Sequence, residues 1–301
     1  MPNLKYCVYD VFTDTKFEGN PLAVVFDADG LSDAAMQTIA REFNLSETVF
    51  VRAPVDPRHA ANVRIFTPGK ELPFAGHPTI GCAIALAEAK HGEARQDLIL
   101  VLEEKIGPVR CAVKPGGKPG IASFAEFDAP KLAEEAGLGA NDETMAASLG
   151  LKPSEIGFDR HIPTIYTAGV VYHFAPVASL DALARAWPTP AATPEALGAT
   201  EIYVYARAPA SAAHAFRARM FAPTLGIAED PATGSAAAAF AGVAARFEGL
   251  DEGWTKLPIL QGAEMGRPSL IGLEVEMKGG ELSGARISGK AVKVTEGTLF
   301  A

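Results

Sequence analysis

The chain is short of the features that would tie it to a membrane or a polyanion. No run reaches the roughly 18 consecutive apolar residues of a membrane span. The first ten residues, Met1-Pro2-Asn3-Leu4-Lys5-Tyr6-Cys7-Val8-Tyr9-Asp10, alternate like a strand and lack the apolar core and cleavage site of a signal peptide. Lys and Arg number 27 against 36 Asp and Glu, a formal charge of -9 with no dense basic block, which argues against nucleic acid or an anionic membrane as partner. Cysteine is scarce: Cys7, Cys82 and Cys111 are an odd number, share no short spacing and suit a reducing compartment, so a cytoplasmic protein is expected. The histidines His59, His77, His91, His161, His173 and His214 show no ligand spacing such as His-Glu-x-x-His, and a metal site is not expected.

What the chain does have is one phrase said twice. Arg64-Ile65-Phe66-Thr67-Pro68 leads through Pro73-Phe74-Ala75-Gly76-His77-Pro78 into the small-residue apolar run Thr79 to Ala87. Arg219-Met220-Phe221-Ala222-Pro223 leads through Glu229-Asp230-Pro231-Ala232-Thr233-Gly234 into Ser235-Ala236-Ala237-Ala238-Ala239-Phe240-Ala241. Each reads as strand, turn and buried helix. The repeat predicts two similar lobes, each offering a helix N-terminus to a common cleft. The first backbone N–H groups of a helix have no partner inside it and carry the positive end of its dipole, so two such ends can hold a carboxylate without Lys or Arg. Gly76 and Gly234 would allow the backbone to approach closely. For either turn alone the ordinary reading is a helix start, with Pro78 in the first turn and Thr233 or Ser235 as a cap.

With 301 residues and 48% hydrophobic content the chain can bury a large core and fill two domains of about 150 residues. The patterning predicts strands at 6–12, 22–26, 48–52, 62–67, 98–102 and 107–113, with a turn at Glu18-Gly19-Asn20-Pro21 and a helix over 32–43 capped by Ser32. A flexible loop is expected over 114–120. The second half predicts helices at 129–137, 142–149 and 180–186, and strands at 164–171, 202–206, 257–261, 269–277 and 291–294. The Ala- and Pro-rich stretch 187–200 reads as a surface connection. The expected domains are 1–123, completed by 292–301, and 124–291.

Three residues are candidates for chemistry. Glu47, in Asn44-Leu45-Ser46-Glu47-Thr48-Val49-Phe50, lies between a helix end and an apolar strand, where partial burial suits a carboxyl to proton transfer; a solvated strand-end glutamate is the alternative. His77 lies on the first repeated turn, as a substrate contact or a packing residue. Asp230 lies on the second, as a substrate contact or a carboxylate facing the helix dipole.

Taken together, Asn20-Pro21, Asn44-Leu45-Ser46-Glu47-Thr48, Phe74-Ala75-Gly76-His77-Pro78-Thr79, Glu229-Asp230-Pro231-Ala232-Thr233-Gly234-Ser235-Ala236 and Gln261-Gly262 with Gly266-Arg267-Pro268-Ser269 resemble the phenazine-biosynthesis PhzF-like family, in family order over almost the whole chain. The resemblance implies an α+β, diaminopimelate-epimerase-like fold of two pseudo-symmetric lobes, each a mostly antiparallel sheet wrapped around a central helix, in a homodimer. It also implies a cofactor-independent isomerase acting on a small carboxylic acid, with Glu47 as the acid/base. His77, Asp230, Ser235, Gly76, Gly234, Thr233 and Asn20 would bind substrate.

The same fold supports epimerases that use two cysteines, one from each turn. Here the turns read Ala75-Gly76-His77 and Asp230-Pro231-Ala232, without a thiol, so a single carboxylate is preferred. An epimerase of another kind and a non-catalytic small-acid binder stay open. A serine hydrolase built on Ser235, His77 and Asp230 is disfavoured, because the sequence has no Gly-x-Ser-x-Gly elbow.

Overall fold

The computed structural model describes residues 3–91, 96–118, 120–197, 201–223 and 227–301. The chain divides into two units, Met1–Pro130 with Ser288–Ala301, and Lys131–Ile287. Among the described residues no helix is long and apolar enough to cross a membrane.

In the first unit the strand Asn3–Val11 pairs antiparallel with Asn20–Val25 on one side and with the end of the long C-terminal strand on the other. From Asn20–Val25 the chain crosses over through the helix Asp33–Phe43 to a parallel neighbour, Glu47–Arg52. The Ser32 hydroxyl accepts from the Ala35 N–H to start that helix, and Asn44, left-handed at φ 51°, ends it. The strand Ala61–Phe66 returns antiparallel, and Leu98–Glu104 lies parallel to it before folding back as Gly107–Lys114 and Ser123–Asp128. Between Ala61–Phe66 and Leu98–Glu104 runs the helix Gly76–His91, apolar all round and buried from its first residue to Ala87. A helix of that kind belongs in a core, and it packs against strands on every side of it. Gly81 is part of the reason: a Cβ there would lie 2.5 Å from the Leu22 side chain and 2.8 Å from that of Val11.

The second unit repeats the plan. A hairpin, Thr164–Thr167 with Val171–Pro176, precedes a parallel crossover through the helix Leu180–Arg185 to Glu201–Arg207. Phe216–Ala222 returns antiparallel, and Ile259–Gln261 lies parallel to it before folding back as Ser269–Lys278. The helix Gly234–Phe247 again occupies the interval, buried from Gly234 to Ala244. Here the core is aromatic: Phe240 meets Tyr205 at 4.8 Å, Phe216 at 5.0 Å, Phe174 at 5.8 Å and Tyr203 at 6.2 Å between ring centroids.

Several sequence expectations are corrected. Residues 129–137 are not a helix; Glu134–Gly137 is an exposed edge strand paired with Thr164–Thr167, and Gly137 at φ 151° cannot be helical. The stretch 164–171 is not one strand but runs into a turn through Gly169 at φ 119°. Asn20 and Pro21 belong to a strand rather than a turn, because the reversal is completed before them, through Phe12 at φ 65°, Phe17 at φ 71° and Gly19 at φ 66°, whose would-be Cβ lies 2.4 Å from the Val11 carbonyl oxygen. Glu229 and Asp230 likewise end a short strand, Ile227–Asp230. Within 187–200 the chain forms a short helix, Pro194–Leu197; residues 198–200 and the His91 side chain lie outside the described part.

Candidate functional site

In the first unit three elements deliver the motif residues to one place. Asn20 opens its strand opposite Val11 and is fully buried. Glu47 opens the parallel neighbour, opposite Leu22, with 12% of its side chain exposed. His77 is the second residue of the central helix, 3% exposed. Asn20 Nδ2 lies 3.3 Å from His77 Nδ1, and Glu47 Oε2 lies 3.4 Å from the same nitrogen. Burial pushes the imidazole down to about 3, so the Glu47 approach is a polar contact with a neutral ring rather than an ion pair. Where the Asn20 amide donates to Nδ1, the ring proton sits on Nε2. That Nε2 is buried and meets no hydrogen-bond partner among the described residues. A buried polar atom left over beside a carboxylate is an opening for a ligand atom.

The backbone at this helix start suits an anion. The helix N–H groups of Gly76 and His77 have no intrahelical acceptor, Pro78 has no N–H to satisfy, and the first turn carries no acidic residue. Thr79 begins the ladder, its N–H reaching the Ala75 carbonyl at 3.2 Å.

The second unit builds its own helix start. Asp230, 5% exposed, accepts from the Thr233 hydroxyl at 2.6 Å. Thr233 stands at the N-cap, yet its hydroxyl serves Asp230 and not the helix backbone. Gln261 closes the turn: its Oε1 accepts from Thr233 N–H at 3.1 Å, and its Nε2 donates to the Asp230 carbonyl at 2.8 Å and to Thr233 Oγ1 at 3.0 Å. Ser235, second in its helix, shares a 2.7 Å hydrogen bond with the Tyr172 hydroxyl. Gly262 lets the following hairpin press on this turn, since a Cβ there would lie 2.5 Å from the Pro231 carbonyl oxygen.

The structure thus gathers Asn20, Glu47, Gly76 and His77 in the first unit and Asp230, Thr233, Gly234 and Ser235 in the second. Sequence reasoning missed Gln261 and Tyr172 as parts of the second group, although Gln261 stood in a quoted motif. Cys7, Cys82 and Cys111 are all buried and unbridged. Among the described residues no three His, Cys, Asp or Glu side chains cluster as metal ligands would. A cavity of about 910 Å³ in the first unit, lined in part by Tyr9, Arg52, Glu88 and Lys293, lies toward the other end of the central helix and contains neither Glu47 nor His77. The motif chemistry, not cavity size, marks the candidate site.

With this geometry in view, comparison with known proteins is direct. A family model described as phenazine biosynthesis-like protein matches residues 9–297. An uncharacterised isomerase of Mesorhizobium japonicum is 51% identical over 306 residues, covering all of both chains. The trans-2,3-dihydro-3-hydroxyanthranilate isomerase of Pseudomonas fluorescens is 38% identical over 294 residues, covering 98% of each. Among solved structures, the PhzF-family phenazine biosynthesis protein of Bacillus anthracis matches with a TM-score of 0.87 at 25% identity over the whole of both chains. The architecture is the diaminopimelate-epimerase-like, α+β fold expected from the sequence.

Proposed function

We propose that this chain, which belongs to the phenazine biosynthesis-like PhzF family and is an isomerase, moves a proton within a small carboxylic acid using Glu47 as its only acid/base. The observation that carries this reading is the placement of Glu47 against a buried, neutral His77 whose outer nitrogen has no partner among the described residues.

The step needs no redox partner. Ionised Glu47 takes a C–H proton next to an unsaturated or carbonyl system, the C–H bonding electrons move into that system, and a Glu47 O–H forms. The same O–H then delivers its proton to a different carbon on the same face, and a double bond has changed position. His77 assists by orientation: its Nε2–H donates to a hydroxyl, amine or enolate oxygen of the substrate, and donors fixed in advance stabilise charge as it develops. While Asn20 donates to Nδ1, that nitrogen offers no hydrogen to an ionised Glu47, which acts as the base. The amides of Gly76 and His77 hold the substrate carboxylate.

The substrate class follows from the relative in Pseudomonas fluorescens, which is named for trans-2,3-dihydro-3-hydroxyanthranilate. A ring bearing an amino or hydroxyl group beside a carboxylate and a double bond fits a neutral histidine donor and amide-held anion. The test is proton NMR in deuterated water with that compound and a panel of cyclic amino and hydroxy acids. The proposal expects label to enter a new carbon as the double bond shifts. Exchange at one carbon with inversion would make the chain an epimerase, and tight binding with no exchange would make it a binding protein; either result overturns the proposal.

A further inference from the structure

The hairpin that follows the first unit's central helix holds the His77 turn from outside. Its strands, Leu98–Glu104 and Gly107–Lys114, meet at Glu104-Lys105-Ile106-Gly107, and three consecutive residues reach the segment around His77. Glu104 Oε1 lies 2.7 Å from Thr79 Oγ1, Lys105 Nζ pairs with Glu71, and Ile106 N–H donates to the Pro73 carbonyl at 3.0 Å.

The Glu104 contact contains a proton that can be located by counting. Thr79 Oγ1 owns one hydrogen and lies 2.8 Å from the Ala75 carbonyl, which can only accept. A second bond of 2.7 Å, to a carboxyl oxygen, then has no hydrogen unless the carboxyl supplies it. The second unit shows the same device with the proton built in. Gln261 ends the strand lying parallel to Phe216–Ala222 as Glu104 ends the one parallel to Ala61–Phe66, and its side chain also reaches a threonine hydroxyl at the helix start. There the donor is an amide Nε2, which always carries hydrogen. The other Glu104 oxygen is buried and meets no partner among the described residues, which costs a neutral carboxyl far less than a charged one.

We propose that Glu104 is a positioning residue that works as a neutral carboxylic acid, donating to Thr79 so that Thr79 can donate to Ala75 and fix the Ala75-Gly76-His77 turn. Burial is consistent with this, pushing the Glu104 carboxyl up to about 8. Among the described residues the titratable groups that face it are the thiols of Cys82 on the central helix and Cys111 on the neighbouring strand, both buried and both pushed above the ordinary thiol range, so neither sets a charge against the neutral form. Ionisation would turn the Thr79 hydroxyl toward Glu104 and leave the Ala75 carbonyl to the Thr79 N–H at 3.2 Å.

Two measurements test this, and only the second rests on the proposed reaction. Infrared difference spectra of wild type against Glu104→Gln should show a protonated carboxyl band below pH 8 that gives way to a carboxylate band above it, and the His77 ring-nitrogen NMR shift should move with the same midpoint. In turnover of trans-2,3-dihydro-3-hydroxyanthranilate, Glu104→Gln should match wild type near neutrality and lose its alkaline fall. Glu104→Leu should lower kcat roughly tenfold at every pH, the size of one buried hydrogen bond. An ionised Glu104 in the infrared at neutral pH, or a Gln variant as damaged as the Leu variant, would overturn the proposal. If the Leu variant does not fold, the infrared band and the Gln variant still decide. If this compound is not turned over, the reaction reading fails, while the carboxyl band and the His77 shift continue to test Glu104.

Discussion

The two units share a topology and differ in what they place at the same points of it. In each, a strand pairs in parallel with one that begins in glutamate: Leu22 faces Glu47 in the first unit, and Tyr172 faces Glu201 in the second. In each, the second residue of the central helix bonds a residue of that partner strand, His77 to Asn20 and Ser235 to Tyr172. In each, a strand that follows the helix ends in a side chain that reaches back to a threonine at the helix start, Glu104 to Thr79 and Gln261 to Thr233. One unit spends these positions on a histidine against a carboxylate, groups able to handle protons. The other keeps a glutamate, Glu201, at the strand start but places hydroxyls and an amide at the helix start and the later strand end, groups that hydrogen-bond without titrating near neutrality. On the function proposed above, the first copy of a duplicated framework is the reactive half.

The cores differ too, and the largest expected effect lies there. The second unit's helix carries Phe240 among four aromatic rings, whereas the first unit's helix has no aromatic residue. Phe240→Ala should cost about 3–5 kcal/mol, measured by denaturant unfolding, against about 2–5 for Ile84→Ala in the first. If Phe240→Ala cost less than Ile84→Ala, the aromatic packing would not distinguish the units. Next comes the helix-start pair. His77→Ala should lower kcat/KM by roughly 5- to 150-fold, the range for one buried hydrogen bond left unmade, and Ser235→Ala by less. Equal losses would erase the distinction between the reactive half and its copy.

Gln261→Ala leaves the Thr233 N–H and the Asp230 carbonyl without this partner and should cost about 1–3 kcal/mol of stability in a thermal melt, with a raised KM. Glu104 supplies the pH dependence that Gln261 lacks. Between its ordinary value of 4.5 and about 8, the folded protein keeps a Glu104 proton that the unfolded chain has lost. Wild-type stability should therefore fall as pH rises through that window, by up to about 1.4 kcal/mol per pH unit, and Glu104→Gln should flatten the slope. Denaturation midpoints for the two proteins at several pH values check this, and parallel slopes would contradict it.

Local signals explain which parts of this comparison were legible in the sequence. Ser32 and Asn44 mark their helix because each acts on residues a few positions away, and the central helices announce themselves as unbroken small apolar runs. Residues 129–137 misled for the complementary reason: their Ala and Glu content favours a helix locally, but the sheet edge at Thr164–Thr167, far along the chain, offers strand pairing instead. Glu47, His77 and Asp230 were legible through motifs. Glu104, Gln261 and Tyr172 were not, since the bonds that give them a role span 25, 28 and 63 residues and follow from the fold alone.

The central claim is that the reactive half works through one carboxylate. Glu47→Gln keeps the size and hydrogen-bonding reach of that side chain while removing its ability to take a proton. With trans-2,3-dihydro-3-hydroxyanthranilate, or whichever acid the exchange screen identifies, the variant should retain the wild-type circular dichroism spectrum and substrate Kd. Its kcat should fall by at least about a hundredfold, the lower end of what general acid/base catalysis contributes. A variant that keeps more than about a tenth of the wild-type kcat would contradict the account and pass the proton to another residue.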